Sequence, residues 1–250
     1  MTQRIALITG GSRGLGRSMA LQLAARNIDV ILTYRSNAKE ANQVVAGIAQ
    51  LGRKAVALPL DVARSATFPA FADTVRSVLA DRWNRATFDC LVNNAGTGAF
   101  APFLETTEEQ FDQLLDSHLR GTFFLSQKLI PLIADGGRIL NVSSGLTRYT
   151  YPGQAAYAAM KAGVEVLTRY MALELGPRIS VNVIAPGGVE TDFAGGAMRD
   201  PNLQKVVAAE TALARVAKPD DIGGVVAALL APETAWLNGQ RIEVTGGFRL

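Results

Sequence analysis

The chain is poor in cysteine, histidine and tryptophan, with one Cys, one His and two Trp in 250 residues. A lone Cys90 cannot close an internal disulfide, and one Cys with one His falls short of a zinc-ligand set. The expected setting is a reducing compartment, the cytoplasm. Blocks of five or six like charges are also missing, and 25 basic against 22 acidic side chains leave a net charge of +3. Nucleic acid is not an expected partner. No run approaches 18 apolar residues, and the opening MTQRIALITGG turns glycine-rich too early for a signal-peptide core, so no membrane association is expected. Linkers, low-complexity tracts and heptads are absent too. What is present is 48% apolar and 19% charged residues, the proportions of a globular protein, in a length that suits one large domain.

Short β-branched runs alternate with helical stretches from end to end. The pattern predicts strands over 4–9, 29–34, 55–60, 88–93, 138–142, 179–184 and 240–244. These runs are uniformly apolar, as in parallel strands covered on both faces. Periodicity near 3.6 predicts helices over 14–25, 38–51, 67–81, 107–134, 155–175 and 220–230. Strand and helix alternating in this way imply a single-domain, doubly wound α/β fold of Rossmann type, with about seven parallel strands and helices on both faces. The region 190–213 is interrupted by Gly195, Gly196 and Pro201 and reads as a flexible substrate flap.

The first predicted strand runs into Gly10-Gly11-Ser12-Arg13-Gly14-Leu15-Gly16 and then a helix. Glycines at 10, 14 and 16 permit a tight turn, close backbone approach to a pyrophosphate, and close packing of helix on strand. The helix N-terminus adds free N–H groups and a partial positive charge. The spacing is Gly-x-x-x-Gly-x-Gly, unlike the commoner dinucleotide fingerprint Gly-x-Gly-x-x-Gly. Tyr157 and Lys161 stand at i and i+4 of one predicted helix and so share a face.

With these motifs in this order, the chain resembles the short-chain dehydrogenase/reductase family, in look nearest to bacterial 3-oxoacyl-carrier-protein reductases. The resemblance implies that Asp61 and Val62 meet adenine, that the backbone of Asn93-Asn94-Ala95-Gly96 lines the adenine ribose, and that Pro186-Gly187, Val189 and Thr191 meet the nicotinamide. It implies catalysis by Ser144, thirteen residues before Tyr157, with Tyr157 and Lys161. Tyr157 would exchange a proton with the substrate oxygen, its pKa lowered from about 10 by the Lys161 ammonium. Lys161 would also hold the nicotinamide ribose, and Ser144 would stabilise charge on the substrate oxygen. In the family an acid ending the second strand selects NAD. Here that strand ends Tyr34-Arg35-Ser36, with Arg13 beside it, so NADP(H) is the expected cofactor.

The chain departs from the family pattern in the helix after the fourth strand, where Ser117-His118-Leu119-Arg120-Gly121 has the only histidine in place of the usual Asn. His118 is expected near Lys161, either packed in the core or passing protons with a pKa near 6.5. The stretches Ala134-Asp135-Gly136 and Ala172-Leu173-Glu174-Leu175 are acidic where carrier-docking relatives tend to be basic, which favours a small free ketone or secondary alcohol over a carrier-bound one. Two alternatives stay open: an NAD-dependent alcohol or sugar dehydrogenase, and a dinucleotide-binding protein without turnover. Apolar residues such as Phe111, Leu115, Phe123, Val166 and Met171 occupy more than one helix face, which with the resemblance implies a homotetramer or homodimer.

Overall fold

The computed structural model describes residues 3–250. Seven strands form one parallel sheet in the order β3-β2-β1-β4-β5-β6-β7. They are β1 (Ile5–Ile8), β2 (Asp29–Tyr34), β3 (Ala55–Pro59), β4 (Phe88–Asn93), β5 (Ile133–Val142), β6 (Ile179–Pro186) and β7 (Arg241–Val244). The order reverses between β1 and β4, and a parallel sheet opens a ligand crevice at the carboxyl ends of such a pair.

Alternate residues of each strand feed opposite cores, since side chains have a period of two along a strand. Ala6 and Ile8 of β1 pack with Met19, Leu23, Val44, Ile222 and Val226, from helices α1 (Gly14–Ala25), α2 (Ala38–Gln50) and α8 (Pro219–Leu229). Ile5 and Leu7 pack on the other face with Phe68, Val75, Leu125, Leu129 and Met171, from α3 (Phe68–Trp83), α5 (Gly121–Leu129) and α6 (Ala155–Leu175). Both faces are covered, which is why most strand positions are apolar.

Two expectations are corrected. The single helix expected over 107–134 is broken. Helix α4 (Glu108–Leu114), with a Thr107 capping box, passes into a π-helical turn (Leu115–Arg120), then α5, then a 3-10 turn containing Pro131. Strand β5 begins at Ile133, five residues before the predicted start. A one-turn change of hydrogen-bond register leaves no mark in a 3.6-residue pattern, whereas Pro131 ends the helix because it lacks an N–H. The second correction is helix α7 (Pro201–Ala209), inside the stretch expected to lack pattern. Asp200 caps it by accepting from Asn202 N–H at 2.9 Å, and Pro201 fills its first turn.

Candidate active site

A cavity of about 900 Å³ runs along the carboxyl ends of the strands. Gly10, Ser12, Arg13, Gly14, Leu15 and Gly16 line one end of it. Gly10 and Gly14 have φ of +66° and +53°, and a Cβ at Gly16 would run into the Gly10 carbonyl oxygen, so this turn needs glycine. Helix α1 starts without a side-chain cap or an acid in its first turn, while α2 and α4 are capped by Asn37 and Thr107. Uncapped N–H groups on a cavity wall are the donor set a pyrophosphate requires, so the residues present fit a dinucleotide.

Tyr34, the last residue of β2, lines the same cavity with Arg35 and Ser36 after it and with Arg13. Asp61 and Val62 line it after β3, and Ala95 and Gly96 after β4. Asn93 does not. Its amide donates to Ser126 Oγ at 2.9 Å and to Asn141 Oδ1 at 2.8 Å, inside the protein, while neighbouring Asn94 lines the cavity. Asn93 is the last residue of β4, and the strand's alternation turns its side chain inward, so its role is to join β4 to β5 and α5. Pro186, the last residue of β6, and Gly187, Val189 and Thr191 beyond it complete the wall.

Ser144, Tyr157 and Lys161 line the middle of the cavity together. Ser144 follows β5 in extended conformation, and its Oγ accepts from Leu146 N–H at 3.2 Å. Lys161 is buried, and Nζ donates to the Val142 carbonyl at 2.7 Å, 5.8 Å from the Tyr157 ring centre. Burial pushes the Lys161 pKa down to about 8. Burial also pushes Tyr157 up to about 12, against a lowering influence of the Ser144 side chain. The expected lowering of Tyr157 by Lys161 is therefore not found: desolvation dominates, and the ammonium is turned toward Val142. A protonated phenol is the form that can donate to a carbonyl oxygen.

His118 sits in the π-helical turn, 1% exposed, with its ring edge-on to Tyr157 at 5.2 Å. Nε2 donates to the Thr97 carbonyl at 2.6 Å, which leaves Nδ1 as a bare acceptor with no partner among the described residues. Burial, then the Lys161 charge, lower its pKa to about 3 against the Thr97 hydrogen bond. The expected titration near 6.5 is thus corrected, and the ring is neutral at working pH.

Below pH 6.5 the unfolded chain protonates His118 and the folded protein does not, so stability falls as pH falls, by about 2 kcal/mol between pH 7 and pH 5. Denaturant titrations at those two pH values should show this difference narrowing by about that amount in His118→Asn.

The aromatic side of the cavity is assembled from residues far apart in the sequence. Tyr149 packs edge-on against Phe248 at 5.2 Å, and Phe193 lies 5.8 Å from Tyr157. Phe100, Tyr151, Met198 and Val207 also line the cavity. Phe193 and Phe248 come from distant loops, so no local pattern could have assembled them. Phe193 begins a turn in which Ala194, Gly195 and Gly196 all have positive φ.

Among known families, the model described as enoyl-(acyl carrier protein) reductase, of the short-chain dehydrogenase type, matches residues 10–249. The chain is 39% identical to a hydroxynaphthalene reductase-like protein Arp2 from Metarhizium robertsii, over 99% of this chain and 95% of that one. Among solved structures it resembles the promiscuous reductase LugOII of lugdunomycin biosynthesis, a keto-reducing enzyme, with a TM-score of 0.94 and 35% identity over 100% of this chain and 99% of that one. It also resembles the angucycline C-6 ketoreductase LanV with bound NADP, with a TM-score of 0.94 and 32% identity over 99% of this chain and 96% of that one. With the same motifs arranged on the same fold along its whole length, the chain belongs to the short-chain dehydrogenase/reductase family of oxidoreductases.

Proposed function

We propose that this protein is an NADP(H)-dependent reductase of planar aromatic ketones, of the hydroxynaphthalene and polycyclic kind. The observation that carries the substrate class is the aromatic cavity wall. Phe193 stands beside Tyr157, and the Tyr149–Phe248 pair lines the same cavity, together offering flat apolar surface to a fused ring system. The names of the relatives, a hydroxynaphthalene reductase-like protein, a reductase of lugdunomycin biosynthesis and an angucycline C-6 ketoreductase, point the same way.

Bound NADPH supplies the hydride. The glycine turn and the α1 N-terminus hold the pyrophosphate, with Asp61, Val62, Ala95 and Gly96 along the adenosine half. Arg13, Arg35 and Ser36 take the 2′-phosphate, while Tyr34 closes the same corner. Pro186, Gly187, Val189 and Thr191 hold the nicotinamide end, and Lys161 reaches its ribose. At the reacting centre Ser144 donates to the ketone oxygen and Tyr157 delivers its phenolic proton there. His118 serves as a neutral support, its edge against Tyr157 and its free Nδ1 available to a bridging water. The segment 190–213 closes over the substrate, hinged at Ala194–Gly196.

Steady-state kinetics test the substrate class: kcat/KM for hydroxynaphthalenones and tetralones should exceed that for aliphatic β-keto esters at least tenfold, and the reverse order would overturn it. Against the NAD-dependent alternative, Arg35→Ala should weaken NADPH about tenfold to a hundredfold, the size of one lost charge-assisted contact, and leave NADH nearly unchanged. Fluorescence titration of each coenzyme measures this.

The chain works as a homotetramer, or at least a dimer, in the cytoplasm. Phe111, Phe123, Phe124, Val166, Tyr170 and Leu173 leave large apolar area exposed on α4, α5 and α6. Leu115 is only half-buried and Met171 is buried within the subunit. The lone buried Cys90 suits a reducing compartment. Light scattering at micromolar concentration should give a multiple of the 26.5 kDa subunit mass.

A further inference from the structure

Glu165 is absent from the cavity wall and from every motif above, yet it is 13% exposed at its side chain and holds three partners on one oxygen. Its Oε1 accepts from Ser143 Oγ at 2.5 Å and from Thr147 Oγ1 at 2.7 Å, and lies 2.8 Å from Arg241 Nε. Ser143 and Thr147 flank Ser144 on either side. Thr147 Oγ1 also lies 2.9 Å from the Ser144 carbonyl, which competes with Glu165 for its single proton, and accepts from Arg241 Nη2 at 3.0 Å. Arg241 belongs to β7 and is neutralised from its other side by Glu243. Glu165 lies one helical turn beyond Lys161 and two beyond Tyr157 on α6.

We infer that Glu165, held by Arg241, is the positioning residue that clamps the Ser144 turn onto the helix carrying Tyr157 and Lys161. The reason is geometric. Ser144 arrives on a short turn after β5, whereas Tyr157 and Lys161 are fixed relative to each other by α6 itself. A proton donor and a hydrogen-bond donor must converge on one carbonyl oxygen, and displacement by about 1 Å is enough to cost about a hundredfold in rate. Hydroxyls on both sides of Ser144, tied to one carboxylate on α6, remove that freedom. Charge tuning is not the role, because Lys161 owes its lowered pKa to burial.

The inference rests on Ser144 acting at the carbonyl, so Ser144→Ala is measured beside Glu165→Ala, Glu165→Gln and Thr147→Val. Turnover is expressed per NADPH-binding site, well below each variant's Tm. Glu165→Ala should lower kcat about tenfold to a hundredfold, with the NADPH Kd within twofold and the alkaline limb of the pH profile unmoved. Glu165→Gln keeps an acceptor oxygen and should recover to within about threefold of wild type. Thr147→Val should lose several-fold and add nothing to Glu165→Ala in the double variant. Should Glu165→Ala not fold, Thr147→Val carries the test alone, and wild-type turnover would overturn the clamp. A folded Glu165→Ala with wild-type kcat, a Gln variant as impaired as Ala, or a shifted alkaline limb would each overturn it as well. If Ser144→Ala is itself unimpaired, the catalytic reading of Ser144 falls and takes the clamp with it. An impaired Ser144→Ala beside an unimpaired Glu165→Ala overturns the clamp alone.

Discussion

Tyr157→Phe is expected to lower kcat by about a hundredfold to ten-thousandfold, the range of a lost general acid, while NADPH binds within a few fold of wild type. The phenol oxygen is the only atom removed. The ring is buried and packed by His118 and Phe193, so the variant keeps the ring's shape and packing. The hydroxyl matters when its proton moves to the substrate oxygen, so the loss belongs in kcat. Burial holds Tyr157 protonated to about pH 12, which makes it an acid over the whole range in which the enzyme can be assayed. Stopped-flow oxidation of NADPH by a planar ketone, compared with a coenzyme fluorescence titration, separates the two effects. Near-normal turnover would show that another group donates the proton.

Lys161→Met should move activity and stability in opposite directions. The folded Lys161 has a pKa of about 8 against about 10.5 unfolded. Below pH 8 both states carry the proton, and burying the ammonium costs the fold about 3 kcal/mol relative to a neutral amine. Between pH 8 and 10.5 the unfolded chain holds more protons than the folded protein, so the wild type gains stability as pH rises. Methionine removes the buried charge but leaves the Val142 carbonyl without its donor, which returns about 1–2 kcal/mol. The variant should therefore be about 1–2 kcal/mol more stable than wild type at pH 7 and lose that advantage before pH 10.5. Its kcat/KM should drop at least a hundredfold, since the ribose contact and the cation beside Tyr157 both vanish. Wild-type activity should fall as pH rises through about 8. Urea denaturation at pH 7 and pH 10 checks the stability half; equal stability differences at both values would contradict it.

Much of this site could be read from the sequence because its parts are local. Gly10, Gly14 and Gly16 meet a steric demand within one turn, and Tyr157 and Lys161 converge through the helical repeat alone. Strands were legible because both sheet faces are covered, so apolar runs stand out. The remainder depends on tertiary placement or on small cues. Asp200-Pro201 carries a cap and a first-turn proline, and Pro131 marks a helix end, yet the glycines nearby and the apolar periodicity outweighed both. The π-helical turn leaves the periodicity intact while turning His118 inward. The pKa values of Tyr157, Lys161 and His118 follow burial, which residue type does not reveal, and burial reversed the expected direction for Tyr157. Glu165 gave no sign because its partners, Ser143, Thr147 and Arg241, meet only across the sheet.

Transfer of label from cofactor to product tests the assignment most directly. NADPH carrying deuterium at nicotinamide C4, in each of its two stereochemical forms, is incubated with the enzyme and a hydroxynaphthalenone or tetralone, and the alcohol is analysed by mass spectrometry and NMR. One of the two forms should place a single deuterium on the carbinol carbon, and Tyr157→Phe should abolish the product while still binding the coenzyme. Coenzyme binding by the wild type with no labelled alcohol from any ketone, under either form, would contradict the assignment and leave a dinucleotide-binding protein without turnover.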